Sequence, residues 1–302
     1  MFKKIYLHIG PHKTGTSYIQ KFLLDNSSSL KKNGFIYPNS SDLSGDGHHN
    51  IAKYQFIKNE LEDYLKSIEE NNSSLILSAE NFSRLNNKQL QNFNEILRKF
   101  SSDIEVIMYV RNPSSVLRSI WCESIKHGGN LSHSDFLVEH FASPRASKIL
   151  NPGRYFSIFS KYFKMNLVDY ESIDHRDVKA IAKSFLACIG TTGRFRYPNY
   201  EVNKSFSLAE SEIYRNINIK NTKLSKDILL QKDFKKYVSD NGLQEHIDNA
   251  SNNILRINFL DSALSLPYKN FISNNRSSFY NKKDIRELKQ SNFEIIMSYN
   301  LY

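Results

Sequence analysis

The chain has 302 residues, 40% of them hydrophobic and 24% charged, and a formal net charge of +10 at pH 7. This composition fits one large globular α/β domain or two modest ones, and it excludes a disordered chain. With no run of about 18 apolar residues and no secretory signal, we expect a cytoplasmic protein without a transmembrane segment. The positive charge suits anionic ligands or peripheral association with an anionic membrane, but without a block of basic residues we expect no nucleic-acid partner.

Apolar stretches of strand length alternate along the chain with stretches of helical period. This is the pattern of βαβ units and a parallel sheet. We predict strands at 5–9, 75–78, 104–110 and 166–170, and a helix at 177–188. The predicted fold class is therefore α/β, a P-loop-like three-layer α/β/α arrangement with a central parallel sheet.

The character of the sequence changes beyond residue 205. Segments such as 207–218 and 247–260 have helical rather than alternating patterns, and strand signals fade. Since no internal repeat or linker interrupts the chain, we expect a single domain over 1–302. Its α/β core would occupy 1–204, and a mainly helical C-terminal part would occupy 205–302.

The stretch HIGPHKTGTS lies between the first predicted strand and the helix after it. Gly10, Gly15 and Ser17 match the phosphate-binding pattern G-x-x-x-x-G-K-[ST], but Thr16 stands where that pattern has its lysine. The nearby lysine is Lys13, inside the loop. Backbone N–H groups at the start of the helix would bind an anion, while Lys13 could lie over the bridging oxygen of a group in transfer.

HKTGTS resembles the 5′-phosphosulfate loop of sulfotransferases that use 3′-phosphoadenosine 5′-phosphosulfate (PAPS). The resemblance implies that Lys13 stabilises the bridging oxygen during transfer. It also implies that Thr14, Gly15, Thr16 and Ser17 bind the 5′-phosphate of the donor.

Two further stretches are similar to elements of the same family. In VIMYVRNPSSVLRSIW, Arg111 precedes Ser119 by eight residues, which resembles the 3′-phosphate element. Arg111 ends a buried strand at the edge where α/β proteins bind ligands, although a surface arginine and a solvated serine account for the pair as well. VNKSFS resembles a segment that would place Lys204 at the cofactor, but Ser207 capping a helix explains it equally well.

Two stretches compete to supply the general base, GDGHHNIAKY with His48 and His49, and LILSAENFSRL with Glu80. An imidazole titrates near neutral pH, whereas Glu80 follows a strand at the predicted ligand edge. Both stretches resemble family elements, yet helix-entry polarity or a weak metal pair would also explain the histidines. We favour His49 as base with Glu80 as its orienter or as the alternative base. We expect His12 to be positioned by the loop, and Arg84 to bind the acceptor or pair with Glu80.

The resemblance implies transfer of the sulfuryl group of PAPS to an acceptor hydroxyl, with adenosine 3′,5′-bisphosphate as product and no metal requirement. It points to a saccharide of a bacterial capsule, lipopolysaccharide or other surface glycan as acceptor, with a glycolipid or a small alcohol as alternatives. Two other functions stay open. A P-loop kinase or NTPase would need a lysine at position 16 and an acidic residue at a strand end to help bind Mg²⁺, a residue that Asp169 in LVDYE could supply. A nucleotide-binding protein without turnover is the second. Cys122 and Cys188 lack the spacing of a disulfide scaffold or zinc site.

Overall fold

The structure is a computed structural model. It describes residues 1–38, 45–142, 149–150, 152–198, 206–220, 236, 239–240, 242, 245 and 270–275. Contacts between residues divide the chain into two compact units. The first comprises Met1–Arg111, Pro152–Val202 and Asn270–Leu288, and the second comprises Asn112–Asn151, Asn203–Lys269 and Lys289–Tyr302. The expectation of one domain with a boundary near residue 204 stays a prediction.

The first unit contains a five-stranded sheet in the order β2-β3-β1-β4-β5, with every neighbouring pair parallel. Its strands are β1 Lys4–His8, β2 Phe35–Ile36, β3 Ser74–Ser78, β4 Ile104–Val110 and β5 Lys164–Asp169. The four predicted strands are confirmed with small shifts at their ends. Sequence patterns missed β2, because two residues are too short to show an alternation.

Helices of both units follow the strands along the chain. Those of the first unit are α1 Thr16–Asp25, α2 Ser27–Lys32, α3 Tyr54–Asn59, α4 Leu61–Ser67, α5 Asn87–Arg98, α8 Gly153–Phe159 and α9 Ala180–Ile189, with 3₁₀ helices at Glu80–Arg84 and Tyr170–Ser172. Those of the second unit are α6 Pro113–Lys126, α7 His133–Phe141 and α10 Leu208–Lys220. The predicted helix at 177–188 corresponds to α9.

Both faces of the sheet are buried, which explains why its strands read as nearly continuous apolar runs. One face packs against α1 and α9 in a core that includes Phe22, Tyr109 and Phe185. Side chains that alternate onto the other face, such as Leu7 and Met108, are fully buried as well. Helices therefore flank a central parallel sheet, and the predicted three-layer α/β/α class is confirmed.

The second unit has its own hydrophobic core, in which Trp121 of α6 and Tyr214 of α10 are completely buried. Helix α10 begins with a reciprocal cap. The Ser207 hydroxyl accepts from the Glu210 N–H at 3.2 Å, and the Glu210 carboxylate accepts from the Ser207 N–H at 2.6 Å. The helical pattern predicted at 207–218 is thus confirmed, whereas the pattern at 247–260 lies outside the described residues.

Candidate functional site

The loop between β1 and α1 lies at the carboxyl edge of the sheet, in its centre. Strands β3 and β4 flank β1 on opposite sides. The chain leaves β1 towards β2 and leaves β4 towards β5, so β1 and β4 form the switch point at which parallel α/β sheets bind ligands. Glu80 follows β3 by two residues, and Arg111 directly follows β4. The fold thus brings the loop, Glu80 and Arg111 to one edge.

The conformation of the loop depends on three residues with positive φ, Gly10 (78°), Lys13 (67°) and Gly15 (76°). A Cβ at Gly15 would lie 3.0 Å from Cδ1 and 3.3 Å from Cγ2 of Ile181 in α9. One at Gly10 would lie 3.3 Å from the Glu80 Cα. The two glycines of the motif therefore allow the loop to pass closely beneath α9 and against the segment after β3.

The hydroxyl groups of the loop have different surroundings. Thr14 is fully buried, and its hydroxyl donates to the Pro11 carbonyl at 2.7 Å, which stabilises the loop itself. Thr16 is also buried, whereas Ser17 is exposed in the first turn of α1. The N–H groups of that turn have no acceptor within the helix and favour an anion. The Thr14 hydroxyl is thus used within the loop, whereas Ser17 is open to solvent.

Arg111 holds the crest of the loop. Its Nη1 donates to the Lys13 carbonyl at 2.6 Å, and its guanidinium lies 4.9 Å from the centroid of the Tyr170 ring. Its Nε lies 3.8 Å from a carboxylate oxygen of Glu171. The two residues that the resemblance assigns to opposite ends of the donor are thus in direct contact. Tyr170 and Glu171 had no assigned role in the sequence, although their position just after β5 places them at this edge.

Glu80 is bound to the loop on its other side. The Thr16 hydroxyl donates to Glu80 Oε1, and His12 Nδ1 contacts Glu80 Oε2. Burial opposes ionisation, but hydrogen bonds from His12 and Thr16, with the charges of His12 and His49, lower the pKa of Glu80 to about 2. The carboxylate is therefore ionised. Among the described residues, it is bound by His12 and Thr16, and it forms no ion pair with Arg84.

The neighbouring histidines have separate environments. His48 is fully buried; its Nδ1 accepts from the Ser78 N–H at 3.1 Å, so its Nε2 carries the hydrogen and donates to the Pro38 carbonyl at 3.0 Å. Burial lowers the pKa of His48 to about 4, and the neutral ring fills a structural position. His49 is half-buried. Burial lowers the pKa of His49 as well; the charge of Glu80 raises it, and the charges of His12 and Arg84 lower it further.

A further buried histidine, His8, ends β1 directly before the loop. Its Nδ1 lies 2.7 Å from the Ser78 hydroxyl, and its ring packs edge-on against Tyr109 and Phe185. Burial lowers the pKa of His8 to about 4. Sequence patterns did not single it out, since one polar residue at the end of an apolar strand carries no specific signal.

The remaining predicted donor-binding residues lie elsewhere in the chain. Ser119 is half-buried on α6, in the second unit. Lys204 lies outside the described residues. Their roles stay predictions.

Within the described ranges, no three His, Cys, Asp or Glu side chains are grouped so as to hold a metal ion. Among the described helices, none combines the length and the apolar character that crossing a membrane requires.

Comparison with known proteins found a structural likeness. No family model and no curated protein matches the chain. The protein is similar to a solved sulfotransferase structure from Alicyclobacillus acidocaldarius, with 12% sequence identity and a TM-score of 0.40. The match covers 76% of this chain and 98% of that chain.

Proposed function

We propose that the protein is a sulfotransferase that moves the sulfuryl group of PAPS to an acceptor hydroxyl. The observation that carries the proposal is the hydrogen bond from Arg111 to the Lys13 carbonyl, 2.6 Å long. It joins the residue proposed for the 3′-phosphate to the residue proposed for the bridging oxygen. Together with the HKTGTS motif, it supports a donor that carries phosphate at both the 3′ and the 5′ position of its ribose.

The residues of this edge fit such a donor. Left-handed backbone at Lys13 and Gly15 and the first turn of α1 would form a cradle for the 5′-phosphate, which a Cβ at Gly15 would disturb. Arg111 would bind the 3′-phosphate at the same edge. Ser119 and Lys204 complete the proposed donor-binding set on the sequence resemblance alone.

The bound donor supplies an activated sulfuryl group. Lys13 would place positive charge at the oxygen on which negative charge develops as the bond to sulfur breaks. His49 would accept the proton of the attacking hydroxyl, because burial keeps its imidazole neutral and its lone pair available. Glu80 is too weak a base for this role, since its pKa lies near 2, and would instead orient the loop and stabilise the charged His49.

On the sequence resemblance, we propose a saccharide of a bacterial surface polysaccharide, or a glycolipid, as the acceptor. A panel of such glycans incubated with labelled PAPS should become labelled with the wild-type protein and not with Lys13→Ala. Lys99→Ala is the matched control, because Lys99 pairs with Glu62 on an exposed surface. Turnover of ATP with Mg²⁺, and none of PAPS, would instead favour the kinase.

Donor specificity is tested by calorimetry with adenosine 3′,5′-bisphosphate and adenosine 5′-phosphate. The wild type should prefer the bisphosphate at least about tenfold, the scale of one well-formed charged contact. Arg111→Ala lowers both affinities, because Arg111 also holds the loop, so the ratio of the two is the diagnostic quantity. That ratio should fall towards one in Arg111→Ala and persist in Arg176→Ala, whose arginine is 92% exposed and pairs with Asp174. Equal wild-type affinities would refute the 3′-phosphate assignment.

A further inference from the structure

The contact between Thr16 and Glu80 conflicts with the binding of an anion at the same loop. A threonine hydroxyl has a single hydrogen to donate, and Thr16 donates it to Glu80. A phosphate oxygen at the start of α1 would therefore meet the lone pairs of this hydroxyl rather than its hydrogen.

Charge adds to this conflict. Glu80 is ionised and largely withdrawn from solvent, with 16% of its side chain exposed. An anion bound at the loop would lie beside this carboxylate, and like charges within a few ångströms repel strongly where water is excluded. Salt screens such an interaction less than it screens a surface pair.

The other partner of Glu80 does not compete for the hydroxyl. An ionised carboxylate only accepts hydrogen bonds, so the His12 Nδ1 must carry the hydrogen that it shares with Glu80 Oε2. His12 is 43% exposed at the surface of the loop, so its side chain has room to follow Glu80. A carboxylate that leaves Thr16 can thus keep His12 as its partner.

We propose that Glu80 occupies the hydroxyl of Thr16 in place of the donor phosphate, and that an anion bound at the loop displaces it. Donor binding and the release of Glu80 are then one event. The released carboxylate stays within electrostatic reach of His49 and stabilises the positive charge that His49 takes up with the acceptor proton. The inference rests on the proposed function in naming PAPS as the donor and His49 as the base.

Calorimetry with inorganic pyrophosphate at low ionic strength tests the displacement without assuming a nucleotide. Glu80→Gln keeps the shape of the side chain and removes its charge, and Glu80→Ala removes the competitor for the hydroxyl as well. Both variants should bind pyrophosphate at least tenfold more tightly than the wild type. Damage to the loop would lower the affinity, so a gain separates displacement from a structural role.

Glu171→Gln is the matched control, because it removes the same charge at the same sheet edge, where Glu171 lies 3.8 Å from Arg111 Nε rather than on Thr16. Its effect on pyrophosphate affinity should stay below about threefold. Equal gains in Glu80→Gln and Glu171→Gln would overturn the proposal, as would unchanged or weaker binding by Glu80→Gln and Glu80→Ala.

Adenosine 3′,5′-bisphosphate, measured on the same variants, separates the two proposals. A pyrophosphate gain in Glu80→Gln without any preference for the bisphosphate over adenosine 5′-phosphate would support the displacement and refute the PAPS assignment. A wild-type preference for the bisphosphate without the pyrophosphate gain in Glu80→Gln would support the PAPS assignment and refute the displacement. Absence of pyrophosphate binding in every variant, together with equal wild-type affinities for the two adenosine phosphates, would refute both.

Discussion

Replacing Gly15 by alanine tests whether the loop is held beneath α9 as the structure describes. The alanine would adopt a φ near 76° at the start of α1, and its methyl group would lie 3.0 Å from Ile181 Cδ1. Gly34→Ala is the matched control. Gly34 has a φ of 80°, but a Cβ there meets nothing within 4 Å. The two variants therefore share the backbone strain and differ in the contact.

The magnitudes follow from these two terms. A left-handed conformation costs an L-residue about 1–2 kcal/mol, which is the whole effect expected in Gly34→Ala. Crowding in a packed region adds about 1–3 kcal/mol, so Gly15→Ala should lose about 2–4 kcal/mol of unfolding free energy. Urea unfolding measures both. The affinity for adenosine 3′,5′-bisphosphate should also fall in Gly15→Ala and stay unchanged in Gly34→Ala.

A double-mutant cycle with Ile181→Val assigns the difference to one contact. Valine lacks the Cδ1 atom, so in the Gly15→Ala background it should recover part of the lost stability, although alone it costs about 0.5–1.5 kcal/mol. Equal losses in Gly15→Ala and Gly34→Ala, with additive effects of Ile181→Val, would refute the packing described for the loop.

Two further predictions concern groups beside and opposite the loop. His48→Ala should cost about 2–3 kcal/mol of unfolding free energy, because it removes both hydrogen bonds of a buried ring. His49→Ala should change stability by less than about 0.5 kcal/mol and reduce sulfuryl transfer at least about a hundredfold. Chemical unfolding and labelled-PAPS assays measure this pair, and the reverse assignment would contradict it. At the opposite edge of the sheet, Glu105 Oε2 lies 2.6 Å from Lys4 Nζ and 3.1 Å from Lys164 Nζ. Burial opposes the ionisation of Glu105, but these two contacts hold its pKa below the usual value. The stability that these contacts contribute is present above the pKa of an unfolded glutamate, near 4.3, and is lost as pH falls through the lowered pKa of the folded protein. In urea unfolding, Glu105→Gln should therefore cost about 2 kcal/mol at pH 7 and progressively less below about pH 4. A loss that does not change with pH would contradict this.

The features predictable from the sequence were those that depend on neighbours along the chain. The fully buried strand β4 had the predicted bounds, because burial on both faces produces an uninterrupted apolar run. Ser207 caps α10 by accepting from the Glu210 N–H, since an N-cap needs only a side chain two or three residues before its donor. The glycines of the loop were recognisable for the same reason, as their spacing reflects local backbone geometry.

Contacts that depend on strand order had no such signal. Glu80 reaches Thr16 because β3 lies beside β1 in the sheet, and the chain alone does not reveal that order. In the loop, Arg111 binds a backbone carbonyl, a group that every residue carries. His48 and His49 are identical and adjacent, so only the tertiary structure separates the buried ring from the half-buried one.

The loop is held from both sides by groups of opposite charge, and this asymmetry decides what must move when an anion binds. Arg111 attracts the anion and holds the loop through the Lys13 carbonyl, and because this hydrogen bond uses one of its five N–H donors, an anion can bind the others without breaking it. Glu80 repels the anion and uses the Thr16 hydroxyl, for which an anion does compete. The affinity of the loop is therefore the difference between these two effects. Since only the Glu80 contact is lost on binding, changes at Arg111 should weaken donor binding while changes at Glu80 strengthen it.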